Sequence, residues 1–510
     1  MQLIHSLSPH EGRREGINFG AMSDAIRNLE PRALWGHFAD LNAVPRPSKH
    51  EERVREWAMN VGKQLGLQTE EDAVGNVLIR KPATPGMENR KTVVLQSHLD
   101  MVCQKNADTD FDFMTEGIRM RVNGDWVDAE GTTLGADNGI GVAAICAVLS
   151  STDIPHPPIE ALFTIDEETG MTGALGLQGG WLKGEVLLNL DTEDDDELSI
   201  GCAGGVDVTS TGMYKEEEAP SGTAPVQIRL RGGSGGHSGM DIHKGLLNAN
   251  KQMNRLLLIL SESMPVRIAR IDGGGLRNAI PRESAASIFV PAAELQSAHE
   301  ILQSAFADIQ AEHRTTDPDL SLDLSEGNAD LKVMPADVGQ ALLLAIQACP
   351  VGIHRMSPDI DDLVQTSNNL ARVVVGGGDV ALQCLCRSSV DSEKDDHARS
   401  ISAAFALAGL ATEFSGSYPG WTPNPNSPTT SLLRDLYVEK FAEEPKVIAC
   451  HAGLECGILG TNYPGMDMAS FGPNIRGAHS PDERVQISSV QKFWDFFLNA
   501  LACTPESTAV

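Results

Sequence analysis

Residues 1–21, MQLIHSLSPHEGRREGINFGA, contain no apolar run long enough for a signal peptide or a membrane span, so no export is expected. The amphipathic pattern begins only near Ala25–Phe38, so these residues are expected to be a poorly ordered extension, with Met22 a candidate second start. Positive charge is scarce. Seventy acidic residues face 40 lysines and arginines, and the net charge of −30 suits neither phosphate backbones nor anionic lipid, so nucleic acid and membrane are excluded as partners. Cysteine follows no framework: there are nine, scattered singly or as Cys384-x-Cys386, without a CxxC pair. Such usage fits reduced thiols in a cytoplasmic protein. The Gly-rich stretch Gly232–Gly239, GGSGGHSG, follows a strand but lacks GxGxxG and a Lys-Ser/Thr pair, which excludes a nucleotide phosphate loop. Asp191–Glu197, DTEDDDE, lacks the glycine and terminal Glu spacing of an EF-hand and reads, beyond Asp191, as a solvated charge run.

What the chain has is a set of short apolar strands that end in acids and histidines. Glu160–Gly170, EALFTIDEETG, runs from Ala161, Leu162, Phe163 and Ile165 into Asp166, Glu167 and Glu168 and then a Thr-Gly turn. Adjacent carboxylates at a strand end repel one another and lose hydration, which favours a cation or a proton among them; alone, the stretch could equally be a solvated acidic turn. Lys91–Val102, KTVVLQSHLDMV, ends in His98-x-Asp100, and Glu185–Asp191, EVLLNLD, ends in Asp191. In open α/β sheets ligands bind beyond the carboxyl ends of the strands. Asp137 sits in the Gly-rich turn LGADNGIG ahead of an apolar helix, Val142–Leu149, and His479 lies in the polar loop RGAHSPDERV. Two imidazoles, His98 and His479, with Asp137, Glu168 and Asp191 form a mixed N/O set suited to zinc, manganese or cobalt.

At 510 residues the chain is too long for one core. Helices are expected at Pro31–Leu41 and His50–Leu65, with a polar, irregular excursion over Asp108–Glu130. After a Gly-, Ser- and Glu-rich shift at Cys202–Gly222 the order becomes strand, helix, strand, strand, helix, the order of a split β-α-β sandwich, and the theme repeats to about Thr412. The loop near Gly416–Pro428 ends this insertion. The expected division is 1–21 extension, 22–204 and 420–510 a discontinuous catalytic domain, and 205–419 a lid and dimerisation domain.

The motifs SHLDMV (Ser97–Val102), GADNGIG (Gly135–Gly141), DEETGMTGA (Asp166–Ala174), NLDTED (Asn189–Asp194), GGHSGMDIH (Gly235–His243), RNAIP (Arg277–Pro281), HAGLECG (His451–Gly457) and GAHSPDE (Gly477–Glu483) resemble those of the cytosolic aminoacyl-histidine dipeptidases. These are the nonspecific dipeptidases among the co-catalytic zinc exopeptidases and amidohydrolases. Eight motifs in family order, from about Met22 to near the end, make the resemblance specific. It implies an α/β fold, with a central mixed β-sheet flanked by helices and interrupted by an α+β lid domain with ferredoxin-like halves.

The resemblance also implies roles. His98 and Asp191 would bind one metal, Glu168 and His479 the other, and Asp137 would bridge; Asp100 would orient His98, and Glu167 would be the general base. The chemistry is coherent: two ions about 3.5 to 4 Å apart can share a hydroxide and polarise a peptide carbonyl. Asp100 lies on the same strand side as His98 and can accept its other ring N–H. Asp137-Asn138 is a candidate cis peptide. His237 would stabilise the oxyanion, while Asn278, Arg387 and the backbone at Gly453 would hold the substrate carboxylate. From residues alone, His237 reads as a loop histidine, Arg387 as half of an ion pair and His451 as a satisfied loop residue; His451 and Glu455 receive no role. The implied activity is hydrolysis of unblocked dipeptides, Xaa-His dipeptides such as carnosine included, with two divalent ions, zinc first and manganese or cobalt as alternatives, in a homodimer. The alternatives are an N-acyl amino acid deacylase on the same metals, or a non-catalytic peptide- or metal-binding protein, which should have lost Glu167 or a ligand.

Overall fold

The computed structural model describes residues 24–507; the extension expected at 1–21 and Met22 lie outside the described residues. The chain divides into two compact units. One comprises the chain up to Gly176, Leu188–Asp195 and the segment from Phe471 onward; the other comprises Leu177–Leu187 and Asp196–Ser470.

In the first unit, strands Val93–His98 and Ile159–Thr164 are buried at every position and run parallel. A strand covered on both faces needs a continuous apolar run rather than an alternating one, which is what VVLQSH and IEALFT largely supply. Val77–Lys81 and then Gln68–Glu71 extend the sheet antiparallel. Helix Ala136–Ser150 is apolar all round because it is buried all round, packing on helix Arg32–Asn42 and strand Val93–His98. It starts earlier than the apolar run suggests, but Asp137 and Asn138 at its head have non-helical dihedrals, so Asp137 does lie in a turn. The closing helix Ile487–Ala502 buries Phe493, Phe496 and Phe497 around Phe471, whose ring meets that of Phe496 edge-on at 5.0 Å.

The stretch expected to be irregular contains a hairpin. Met120–Asn123 pairs with Trp126–Ala129 across a turn with Gly124 at positive φ, and the second strand continues the ladder to Arg484–Gln486 and Ile475–Arg476. Four-residue strands in which only Met120, Val127 and Ala129 are buried leave little hydrophobic pattern to read. The acidic run after Asp191 is paired as well as solvated: Asp194 meets Arg476 and Asp195 meets Lys492 in this unit, and Asp196 meets Lys446 in the other.

The second unit is built on one nine-stranded sheet in the order Ser321–Glu326, Thr223–Arg231, Ser284–Pro291, Arg267–Gly274, Val364–Gly376, Asp379–Ser388, Gly204–Met213, Ala411–Tyr418, with Gly352–Met356 beside Val364–Gly376. Helices Ala249–Ser263, Leu295–Glu312, Ala336–Ala348 and Asp391–Ala406 share one core with Ile228, Ile288, Val373 and Leu382 of the strands. The two ferredoxin-like halves are both present, but they interleave. The first strand of the second half is Gly204–Met213, within the stretch expected to be a compositional break, and the entire first half is inserted after it. Its sequence GGVDVTSTGM conceals a strand because glycine and serine dilute the buried Val206 and Val208. Separately in this unit, Glu197–Cys202 pairs parallel with Lys446–Cys450 and antiparallel with Asp467–Ser470.

Leu382 is fully buried on a strand near the middle of the nine-stranded sheet. Leu382→Ala is expected to lower the unfolding free energy by about 2–5 kcal/mol, and Leu407→Ala, at a position 83% exposed, by less than about 0.5 kcal/mol. Urea unfolding curves of the two variants check both.

Candidate metal centre

Parallel pairing places His98 opposite Thr164, so the ends of two buried strands emerge together. The Leu99 N–H donates to the Thr164 carbonyl at 2.8 Å. Asp100 then joins the two ends. It accepts the Glu167 and Glu168 N–H groups at 3.1 and 3.2 Å and the Ser48 hydroxyl at 2.8 Å, and its Oδ1 lies 3.3 Å from His98 Nδ1. One carboxylate thus orients the imidazole and holds the backbone of the adjacent acids. Burial alone would push the Asp100 carboxyl up, but His98, Ser48 and the Glu167 N–H hold it below its usual range. Asp166, at positive φ, ties the same turn by accepting the hydroxyls of Thr169 and Thr172.

Asp137 arrives on the turn that heads helix Ala136–Ser150, and its peptide bond to Asn138 is cis, as the resemblance implies. Gly135 has φ +70°, and a Cβ there would stand 2.3 Å from Arg46 Nη2; a Cβ at Gly141 would stand 2.8 Å from the Leu190 carbonyl. Close approach of the turn to both its neighbours therefore requires the glycines of LGADNGIG. Asp191 follows Asn189 and Leu190, which bond the side chain and carbonyl of Gln96. His479 lies at positive φ in the loop between the paired segments Ile475–Arg476 and Arg484–Gln486, so the unforeseen hairpin at residues 120–129 is what seats it.

The result is a convergent set. His98 Nε2 lies 3.2 Å from Asp137 Oδ1 and 3.5 Å from Asp191 Oδ1; His479 Nε2 lies 3.2 Å from Asp137 Oδ2 and 3.0 Å from Glu168 Oε2. Each Asp137 oxygen faces a different imidazole. Tetrahedral coordination with bonds of about 2.0–2.1 Å separates ligand atoms by roughly 3.3 Å, so both groups of three have the span of a zinc-type site. Glu168 Oε1 is buried without a hydrogen-bond partner, an orphan that a cation would satisfy. Glu167 offers a carboxylate oxygen within 4.8 Å of His98 and Glu168. Behind these, Glu51, Asp100 and Asp166 form a second buried acidic group without an imidazole, where burial raises the Glu51 carboxyl.

Without cations, protons balance this charge. Burial lowers the His98 imidazole, but Asp191, Asp100 and Asp137 reverse that and take it well above its ordinary value. Hydrogen bonds to Asp137 and Glu168 raise His479 to about 11, and burial lifts Asp191 to about 7. For Asp137 burial is outweighed by the two imidazoles, and its carboxyl falls.

In the second unit, His237, Asn278 and His451 belong to one loop cluster. The Ser238 N–H donates to the Asn278 carbonyl at 2.7 Å, and a Cβ on Gly239 would lie 2.1 Å from the His451 carbonyl oxygen. His237 Nδ1 accepts the N–H groups of Gly239 and Met240 at 3.2 and 3.0 Å. His451 is a buried loop residue only half satisfied: its Nε2 meets Ser367 Oγ at 2.8 Å, its Nδ1 has no partner, and burial, then Arg387 and His237, lowers its pKa to about 3. Arg387 is buried at the end of strand Asp379–Ser388; its Nη1 bonds the Tyr418 hydroxyl at 2.8 Å, and its Nε has no partner. Among the described residues it forms no ion pair, contrary to the reading from residues alone. Gly453 follows His451 by two residues in the connection to helix Glu455–Asn462. Arg46 and Glu483, both buried and both bonded to the Asp137 turn, were not foreseen; Glu483 stood inside a quoted motif, but nothing in the sequence distinguishes it from a solvated loop acid.

Because the imidazoles must be neutral to ligate, cations have to displace protons here. Metal-free protein titrated with zinc chloride in weakly buffered solution at pH 7 is expected to release at least about one proton per ion, with affinity falling as pH is lowered, since the raised histidines regain their protons. A pH-stat counts them; uptake of metal without proton release would contradict the charge state described.

Comparisons with known proteins give the chain its family. The chain is 43% identical over 480 residues to the cytosol non-specific dipeptidase of Escherichia coli (strain K12), covering 94% of this chain and 99% of that one. The crystal structure of aminoacylhistidine dipeptidase from Vibrio alginolyticus superposes with a TM-score of 0.89 at 43% identity, covering 95% of this chain and 99% of that one. The aminopeptidase PepT of Bacillus cereus ATCC 10987 shares the fold at a TM-score of 0.54 and 15% identity, over 93% and 98% of the two chains. The profile of peptidase family M20/M25/M40 matches residues 94–502, and with those relatives it identifies the chain as a member of that family.

Proposed function

We propose that this protein is a metal-dependent dipeptidase that hydrolyses unblocked dipeptides of broad sequence, Xaa-His dipeptides such as carnosine among them. The observation that carries the reading is the Asp137 carboxylate, whose two oxygens each face one imidazole. The relatives from Escherichia coli and Vibrio alginolyticus, at 43% identity, supply the substrate class.

His98 and Asp191 would hold one divalent ion, Glu168 and His479 the other, with Asp137 between them. Zinc suits the donor set best, and manganese or cobalt would be accepted. Bound there, the ions would supply Lewis-acid polarisation of the peptide carbonyl and an acidified water. The chain's own residues do the rest. Glu167, with its backbone N–H fixed on Asp100, takes the proton from water and returns it to the leaving amine. Because His237 Nδ1 accepts two backbone N–H groups, a neutral ring carries its proton on Nε2, the donor an oxyanion needs. Arg387, buried without a carboxylate of its own, takes the substrate's carboxylate together with Asn278 and the backbone at Gly453. Asp100 keeps His98 in the tautomer that leaves Nε2 for metal. A cytoplasmic homodimer, with residues 205–419 as lid and dimerisation domain, completes the reading. Among the described residues no helix is long and apolar enough to cross a membrane.

The test is hydrolysis of carnosine, Leu-Gly, a tripeptide and an N-acetyl amino acid by metal-stripped protein given back zinc, manganese or cobalt. Only the free dipeptides should be cleaved, and only with metal. Glu167→Gln should lower kcat by about 10²–10⁴ with metal content unchanged, and Arg387→Ala should lower kcat/KM by about 10- to 100-fold through the lost charged hydrogen bonds. Cleavage of the acetyl substrate alone would make the protein a deacylase. Metal binding without turnover of any substrate would make it a binding protein.

A further inference from the structure

Glu483 is 2% exposed, four residues beyond His479 on the same loop. Its carboxylate accepts four consecutive backbone N–H groups: Oε2 takes those of Leu134 and Gly135 at 2.7 and 2.9 Å, and Oε1 those of Ala136 and Asp137 at 2.7 and 3.2 Å. The nearby cation, Arg46, is not its ion-pair partner. The Arg46 guanidinium donates instead to the carbonyls of Leu99, Asp100 and Gly135 and to Asn42 Oδ1, bracing the same turn from its other side. Burial pushes the Glu483 carboxyl up, and the Gly135, Asp137 and Leu134 N–H groups oppose it. A staple for a loop could be made from a backbone carbonyl at less desolvation cost. Two oxygens meeting four donors instead fix a turn in both position and tilt.

We propose that Glu483 is a positioning residue of the metal centre, holding the Asp137 carboxylate at a set separation from His479, so that the ion between Asp137, Glu168 and His479 binds weakly without it. This rests on the ligand assignment above. The two ligands come from segments far apart in sequence, and the contacts of one carboxylate span both: its own loop carries His479, and its acceptor oxygens grip the backbone of Asp137. Glutamine at this position keeps one acceptor oxygen but turns an NH₂ group toward two N–H donors, so half of the clamp becomes repulsive.

The experiment measures zinc stoichiometry and affinity of the full chain by competition with a chromogenic chelator, for wild type, Glu483→Gln and Glu483→Asp. Wild type should bind two ions. Glu483→Gln should keep one at wild-type affinity and bind the second about 10- to 100-fold more weakly, with activity restored by excess zinc at an unchanged KM. Glu483→Asp, which keeps the charge and both oxygens on a shorter arm, should fall between. A merely structural role predicts a lower folding midpoint of the metal-free protein and activity that excess zinc does not restore. Two ions bound to Glu483→Gln at wild-type affinity would overturn the proposal. Should Glu483→Gln fail to fold, the same two readings on Glu483→Asp decide it. A wild type that binds fewer than two ions would instead refute the two-metal reading beneath it.

Discussion

Asp137, Glu167, Glu168 and Asp191 gather around two imidazoles at the buried end of a sheet, and like charges so placed are held only by an equal supply of positive charge. Much of the local structure answers that requirement. Asp100 spends its acceptor capacity on the Glu167 and Glu168 backbone, Glu483 on the Asp137 turn, and Asp166 on two threonines. Each of these three buried acids is thereby given donors of its own. Among the described residues, Glu168 Oε1 is the one atom of the five candidate ligands that is buried without a hydrogen-bond partner.

The second unit follows a different logic. Its recognition candidates are neutral or positive. His451 is kept uncharged by burial and by Arg387, and His237 has its proton directed to one nitrogen by a backbone turn. Arg387 is held by a phenol rather than by an acid, so its charge is not already spent. That arrangement suits a ligand that brings its own carboxylate, and it is the reverse of the acid-rich first unit.

The five candidate ligands were legible because each ends an apolar run or sits beside a glycine turn, patterns short enough to survive in one segment of sequence. Glu167, the candidate general base, was legible for the same reason. What was hidden depends on contacts between distant segments. The hairpin Met120–Asn123 with Trp126–Ala129 is two four-residue strands that gain their place only by pairing with residues 484–486. Glu483 looks like any loop acid until the turn at Leu134–Asp137 closes over it, and Arg46 lies between two prolines in what reads as a plain loop. In the nine-stranded sheet the α/β alternation was readable, but the strand Gly204–Met213 was not. Its three glycines and its aspartate are disfavoured in strands, and its burial is conferred by neighbours on both sides.

That strand also sets the timing of synthesis. Gly204–Met213 pairs on one side with Asp379–Ser388 and on the other with Ala411–Tyr418, both made only after the whole first half of the unit has left the ribosome. At 5–20 residues per second, it waits roughly ten to thirty seconds with both edges unpaired. Its single aspartate and its three glycines, rather than a row of valines, keep the waiting segment from pairing with a neighbouring nascent chain. The composition that hides the strand from a reader also shields it from the wrong partner.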